Sequence, residues 1–407
     1  MLRYGSQLLS NKHGQDARDT RVFGILFPML ALLIIASLIT VAVLSTRDAA
    51  GPTPMTNPVG MVDRLDFFDT PAAWSAGTRD RIDILTTGPD RLALHDTRND
   101  FPRDGLWTSA EVKTDLPFTE LLPSWNPDCP PDTGLRLDVR TRDARSGRWS
   151  PWFYLGSWGR TLAKENRVTD NDFGRVHIDW LDLHRPADAY QARVTFNAFT
   201  LNEKVNPSLR RLAISHSGVV RNHVESDPND LQRAGASPAY DIPVPFRAQG
   251  LAAKPLRPQV CSPTSVSMVM QYLGLDRPTD ENALAMYDAE NDMFGNWGRA
   301  VAWAGENGFD AWLTRFRNWD QVKQTLAQGQ PIIASIRFKK GECPSFVIDH
   351  TAGHLIVIRG VTRDGDLIVN DPASRTHGNG AIYKSDDMTR AWLNHGGVGY
   401  IIRKPRA

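Results

Sequence analysis

Hydrophobic and polar positions divide the chain into three regimes. In the first, residues 22–44 (VFGILFPMLALLIIASLITVAVL) run for 23 positions without a charge. As a helix at ~1.5 Å per residue they reach ~34 Å, enough to cross a hydrocarbon core of ~30 Å. No polar face interrupts the run, which excludes the amphipathic helix of a soluble domain. Pro28 sits one turn in, where neighbouring groups must satisfy the carbonyl it frees. Arg3, Lys12, Arg18 and Arg21 precede the run and only Arg47 closely follows it. The positive-inside rule then leaves the N-terminus in the cytoplasm. A cleaved signal peptide would have an apolar region of about 7–15 residues and a small-residue exit. This run is longer and exits through Leu-Ser-Thr-Arg-Asp. The expectation is a cytoplasmic tail over 1–21 and an uncleaved signal anchor over 22–45. Everything after it then lies on the extracytoplasmic side of the membrane.

A proline- and glycine-containing linker is expected over 46–62. The second regime, 63–220, alternates with period two. RIDILTT (81–87), LRLDVRTRD (135–143), VHIDWLDL (176–183), YQARVTFNAFT (190–200) and LRRLAISHS (209–217) each read as a half-buried strand. No long amphipathic helix breaks the series, which predicts an all-β sandwich of jelly-roll type. A second polar linker follows over 221–241.

In the third regime, 242–407, the period changes. SVSMVMQYLG (265–274), RAVAWAGENG (299–308) and WDQVKQTLAQG (319–329) carry apolar residues at helical spacing and end at glycine. PIIASIRF (331–338), HLIVIRGV (354–361), DLIVND (366–371) and VGYIIRK (398–404) read as strands. Helices first and strands later predict an α+β domain.

Composition changes this picture little. The 407 residues hold 47 basic and 46 acidic side chains, so charge gives no case for a nucleic-acid partner. Three cysteines, Cys129, Cys261 and Cys343, form neither a disulfide framework nor a zinc pair. Cys129 and Cys343 sit in exported loops, so either an interdomain disulfide or two free thiols is consistent with their positions. Trp125, Trp149, Trp152 and Trp158 suit either a sandwich core or a sugar-stacking surface.

Chemistry concentrates in the third regime. Cys261 stands in RPQVCSPTSVSMVM, directly before the first helical pattern, with Pro263 suited to a first turn. A thiol at a helix N-terminus is stabilised as thiolate. It needs a base and a group to orient that base. His354 opens one predicted strand and Asp371 closes the next. Cys, His and Asp in that order are the elements of a nucleophilic triad.

The segments VPFRAQG (244–250), CSPTSVSMVM (261–270) and GHLIVIRGVTRDGDLIVNDPAS (353–374) resemble the bacteriocin-processing, double-glycine-leader cysteine peptidases of the papain-like clan. The closer resemblance is to their stand-alone relatives. It implies Cys261 as nucleophile, His354 as general base and Asp371 as its orienter. It also implies an upstream glutamine in the oxyanion hole: Gln249 fits the family's VP-x-x-x-Q pattern, while Gln259 is nearer in sequence. Leader peptidases usually carry Cys-Gly after an acidic residue. Val260 and Ser262 flank Cys261 here, which bears on leader specificity more than on catalysis. DGLWTSAEV, FTELLPSW and GRWSPWFYLGSWG resemble the segment that precedes such domains in some bacterial exported proteins.

The expected protein is thus a membrane-anchored exported cysteine peptidase that takes peptide or protein substrates and needs no cofactor or metal. The rivals are a cell-wall peptide amidase or transpeptidase, and a glycan-binding surface protein with a relic peptidase domain. His350 is the alternative base. The triad also predicts a hairpin register. His354 should face Asp371, with Gly360 opposite Gly365 around a four-residue loop. A two-residue Asp364-Gly365 turn would set Asp371 opposite Ile358 instead.

Overall fold

The computed structural model describes residues 59–95, 101–161, 167–221 and 240–405. The expected tail and anchor, and most of both linkers, lie outside the described residues. Among the described residues no helix is long and apolar enough to cross a membrane.

Residues 59–221 form a β domain whose strands pair antiparallel throughout a 12-stranded sheet. Two long strands organise it. Val112–Asp128 pairs with Trp180–Ala198 on one side and Ser208–Arg221 on the other. Trp180–Ala198 continues past it to pair with Arg103–Thr108 and Thr133–Asp143. Phe118, Leu137, Phe153, Tyr190, Phe196 and Leu212 are among the side chains that fill the core beneath. The five-residue Pro71–Ser75 is the lone α-helix among the described residues of this domain.

Two expectations need correction here. The first strand is Val59–Phe68, so it starts inside the stretch read as linker; Val59 pairs with Arg221 and the register holds to Phe68. And 176–183 is not one strand. Gly174–His177 turns at Ile178-Asp179 into the Trp180 strand, with His177 opposite Trp180. Alternation alone hid the turn, because its two central residues continue the apolar-polar pattern.

Residues 240–405 form an α+β domain. Helices Cys261–Tyr272, Thr279–Met286 and Trp297–Glu306 precede most of a seven-stranded sheet; Asp310–Arg315, Val398–Arg403, Ile332–Phe338, Thr351–Val361, Leu367–Asn370 and Ala381–Tyr383 are its path in spatial order. Gly274, Gly308 and Gly329 stop three helices at positive φ, as expected of a C′ glycine. The strand Asp310–Arg315 and the helices Thr279–Met286 and Ser385–Ala391 were not legible, being short or weakly patterned.

The two domains share buried structure. Leu122 of the β domain belongs to the core of the α+β domain, and Ala302 of the Trp297–Glu306 helix belongs to the core of the β domain. Asn126 treats Ala311 as a sheet partner: its amide donates to the Ala311 carbonyl at 2.7 Å and accepts the Ala311 N–H at 3.1 Å. Arg210 donates to the carbonyls of Gly305 and Phe309, and Arg317 pairs with Asp63 at 2.6 Å. Gly305 is required by close approach, since a Cβ there would stand 2.6 Å from the Asn126 Cα.

Candidate active site

Cys261 is the first residue of its helix, and the preceding N-cap, Val260, has no side-chain oxygen to offer. The first-turn N–H groups are thus left for another acceptor. The Ser262 N–H is among the groups that lower the Cys261 thiol. Ser265, one turn on, donates to the Leu355 carbonyl at 3.0 Å, which ties this helix to the strand residue beside His354.

His354 is buried on Thr351–Val361, and its Nε2 lies 2.7 Å from Asp371 Oδ1. Asp371 is fully buried and takes three donors: His354, Ala373 N–H at 2.8 Å and Tyr383 Oη at 2.5 Å. With Nε2 engaged by the carboxylate, the other imidazole nitrogen is left for Cys261, whose interaction with the ring raises His354 further.

Burial opposes the charged imidazolium, but the Asp371 charge and hydrogen bond, with the Cys261 contact, outweigh it and push His354 up to about 10. Burial alone would raise the Cys261 thiol. The His354 hydrogen bond and charge, with the Leu355 and Ser262 backbone, bring it below its ordinary value. Asp371 is lowered against its own burial, first by the His354 charge. The three directions agree on a thiolate–imidazolium pair over a fixed carboxylate. The other thiols move oppositely. Burial raises Cys129, helped by Glu306 and Asp128, and pushes Cys343 up to about 11, helped by Asp387. All three cysteines are free.

The hairpin register differs from both expected forms. Val361 pairs with Leu367, and Thr362 N–H donates to the Asp366 carbonyl, leaving three residues, Arg363 to Gly365, in the loop. Gly365 takes φ +85, which suits the third position of a three-residue hairpin. The pairing shifts between Ile358 and Gly360, so that Ile358 faces Val369 and Val357 faces Asn370. Continued, this sets Asp371 beside Ile356, diagonal to His354 on one face. A diagonal neighbour lies within reach of a long side chain. A directly facing register is therefore not needed for the contact.

Gln249 opens a 3₁₀ turn, and its N–H donates to the Pro372 carbonyl, which brings it to the Asp371 loop. Its amide donates to the Arg257 carbonyl at 3.0 Å, leaving a second amide hydrogen. Gln259 is exposed. His350 is exposed and pairs with Asp349 at 2.6 Å. Tyr383 escaped the sequence reading; nothing in its spacing from Asp371 marks it. Trp125 and Trp158 are buried, and arginines cover the faces of Trp149, Trp152 and Trp158. No group of metal-ligating side chains occurs among the described residues.

Residues 241–400 match the model of the Peptidase C39 like family, and residues 64–217 match that of the Peptidase C39 N-terminal domain. No curated protein matches the chain. Among solved structures, a C39-like peptidase from Bacillus anthracis is 14% identical, over 42% of this chain and 100% of that one, at a TM-score of 0.33. A serine protease of Aeromonas sobria is 13% identical, over 42% of this chain and 28% of that one, at 0.20. TmCBM61, solved in complex with a galactotriose, is 8% identical, over 41% and 90%, at 0.17.

Proposed function

This chain is a relative of the C39 peptidases, and from that premise we propose that it is a membrane-anchored, exported cysteine peptidase. The observation that carries the reading is the His354–Asp371 contact of 2.7 Å beside a thiol at an uncapped helix start. In the proposed cycle the Cys261 thiolate attacks the carbonyl carbon of a peptide bond. The oxyanion forms against the Cys261 N–H and the free amide hydrogen of Gln249. The His354 imidazolium gives its proton to the leaving amine, and the acyl group stays on Cys261 as a thioester. Neutral His354 then takes a proton from water; the hydroxide adds to the thioester, and the acid leaves as thiolate and imidazolium are restored. Asp371 holds the imidazole in the required tautomer and offsets its charge throughout.

The anchor proposal rests on residues 22–44 and the charges before them. With it, 63–220 is an exported β-sandwich domain and 242–407 the catalytic domain. Two measurements test this reading. On a peptide library, Cys261→Ala abolishes cleavage, and Gln249→Ala lowers kcat by roughly 10²–10³ while Gln259→Ala does not. Library cleavage that survives Cys261→Ala would refute the mechanism. On intact cells, an impermeant label reaches the C-terminal tail; labelling only after lysis rejects the topology.

A further inference from the structure

Between the β domain and the α+β domain lies a cavity of about 470 Å³, within the usual range for small-ligand sites. Trp125, Tyr154 and Asp179 line it from the β domain; Asp288, Glu290 and Arg299 line it from the loop and helix that follow residue 286. Most of these polar groups are already occupied. Asp288 accepts from Asn291 and Asn296, Glu290 pairs with Arg167 at 2.6 Å, and Arg299 donates to the Met286 carbonyl and stacks over Trp158.

Two groups are not so occupied. Asp179 is 8% exposed, and among the described residues no cation lies within ion-pair reach of it. It accepts only main-chain N–H groups, with Trp297 at 2.7 Å. Burial, partly countered by those bonds and helped by the nearby Asp288 charge, pushes its carboxyl up to about 7. Trp125 is 7% exposed, and its indole N–H has no partner. A buried polar group left unpaired is costly unless something else pairs it.

The backbone here is also strained. Ile178, beside Asp179, is β-branched yet takes φ +58, is 47% exposed, and sits in a turn closed by Asp179 N–H on the His177 carbonyl at 2.6 Å. Such strain persists only where the surroundings enforce it.

We propose that this cavity binds a basic peptide segment, with its ammonium or guanidinium on Asp179 and a peptide carbonyl on the Trp125 indole. With Glu290 paired to Arg167, Asp179 and Asp288 against Arg299 still leave the site net negative. Contacts beyond its lining lead toward the helix that carries Cys261. Phe294, on the same loop as Asp288, packs against the cluster of Ala252, Val260 and Ala283, and Val260 immediately precedes Cys261. Calling the segment part of a substrate rests on the peptidase reading; the binding itself does not.

The test uses the full chain carrying Cys261→Ala and titrates the blocked tripeptide Gly-Lys-Gly against its norleucine and acetyl-lysine counterparts by calorimetry. The lysine peptide saturates, and the two neutral peptides bind at least ~10-fold more weakly. Asp179→Asn, which still accepts the Trp297 N–H, removes that preference. Trp125→Phe weakens all three by about 5-fold. An unchanged melting temperature excludes an unhooked helix. Equal binding of lysine and norleucine peptides, survival of the preference in Asp179→Asn, or no saturation by any peptide overturns the proposal; so does a preference for galactotriose. Peptide binding without cleavage by the parent protein sinks the peptidase reading alone. Cleavage without binding sinks the cavity alone.

Discussion

Val260 caps nothing and Asp371 accepts three donors, and these two residue-level facts set the chemistry at Cys261. A serine or aspartate at position 260 would compete with the thiolate for the first-turn N–H groups. The saturated carboxylate has its lone pairs directed to fixed partners and keeps its charge for His354. The sign of the pH dependence follows. Cys261 titrates below its ordinary value and His354 at about 10, so the thiolate–imidazolium pair fills the interval between them. Activity therefore rises with the thiol on the acid side and falls near pH 10 on the alkaline side. In dilute iodoacetamide at pH 6, mass spectrometry should find Cys261 alkylated well before Cys129 or Cys343, whose thiols are raised. Equal rates in the folded chain would remove the case for an activated nucleophile. Cys261, His354 and Asp371 were legible because each sits in a patterned neighbourhood, a helix start or a strand end. Tyr383 was not. It reaches Asp371 only because Leu367–Asn370 and Ala381–Tyr383 pair, and pairing leaves no mark on a single strand.

At the scale of elements, the loop that ends Leu367–Asn370 decides where the carboxylate stands. Asp371 N–H donates to the Gly378 carbonyl at 2.8 Å, and Gly378 N–H to that of Ser374. A Cβ on Gly378 would collide with the carbonyl oxygens of Asp371 and Ser374, both backbone atoms that cannot swing aside. Gly378→Ala should displace Asp371 and lower kcat by roughly 10²-fold, the cost of about 1 Å of misplacement. The alkaline limb should move below pH 10 as His354 loses its counter-charge. An unchanged kcat and limb would mean that the loop does not hold the carboxylate. The neighbouring hairpin shows where pattern reading stops. The Asp364-Gly365 signal was real, since Gly365 takes the left-handed position, but the loop closes one residue earlier, at Thr362. A slip of one residue at the turn is absorbed by the pairing shift at Ile358–Gly360. Sequence shows the turn residue and the alternation; it does not show an irregularity that reconciles them. Asp310–Arg315 was hidden for a related reason. Its burial alternates from Ala311 on, but the charged Asp310 and Arg315 are buried at its ends while Trp312 is not, so hydrophobicity does not follow burial.

The whole molecule depends on that contact. Asp310 lies near Arg210, Arg211 and Arg403, and Arg315 pairs with Glu120 at 2.7 Å, so charge as well as apolar surface joins the domains. Composition could suggest two domains but not this joint, whose residues are spread from Asp63 to Arg403. Asn126→Ala would orphan the buried N–H and C=O of Ala311, at about 1–3 kcal/mol for each group. The melting temperature should fall, and probes in both domains should fall together in one transition. Separate transitions in the parent chain would show the domains to be energetically independent. A joint of this kind also changes what the peptide connection between the domains contributes. Leu122 completes one core and Ala302 the other, so neither half is finished alone. Expressed as two separate polypeptides, the halves should be poorly soluble apart and should complement one another when mixed. The intervening chain would then set how fast they meet, while the lock between them survives without it.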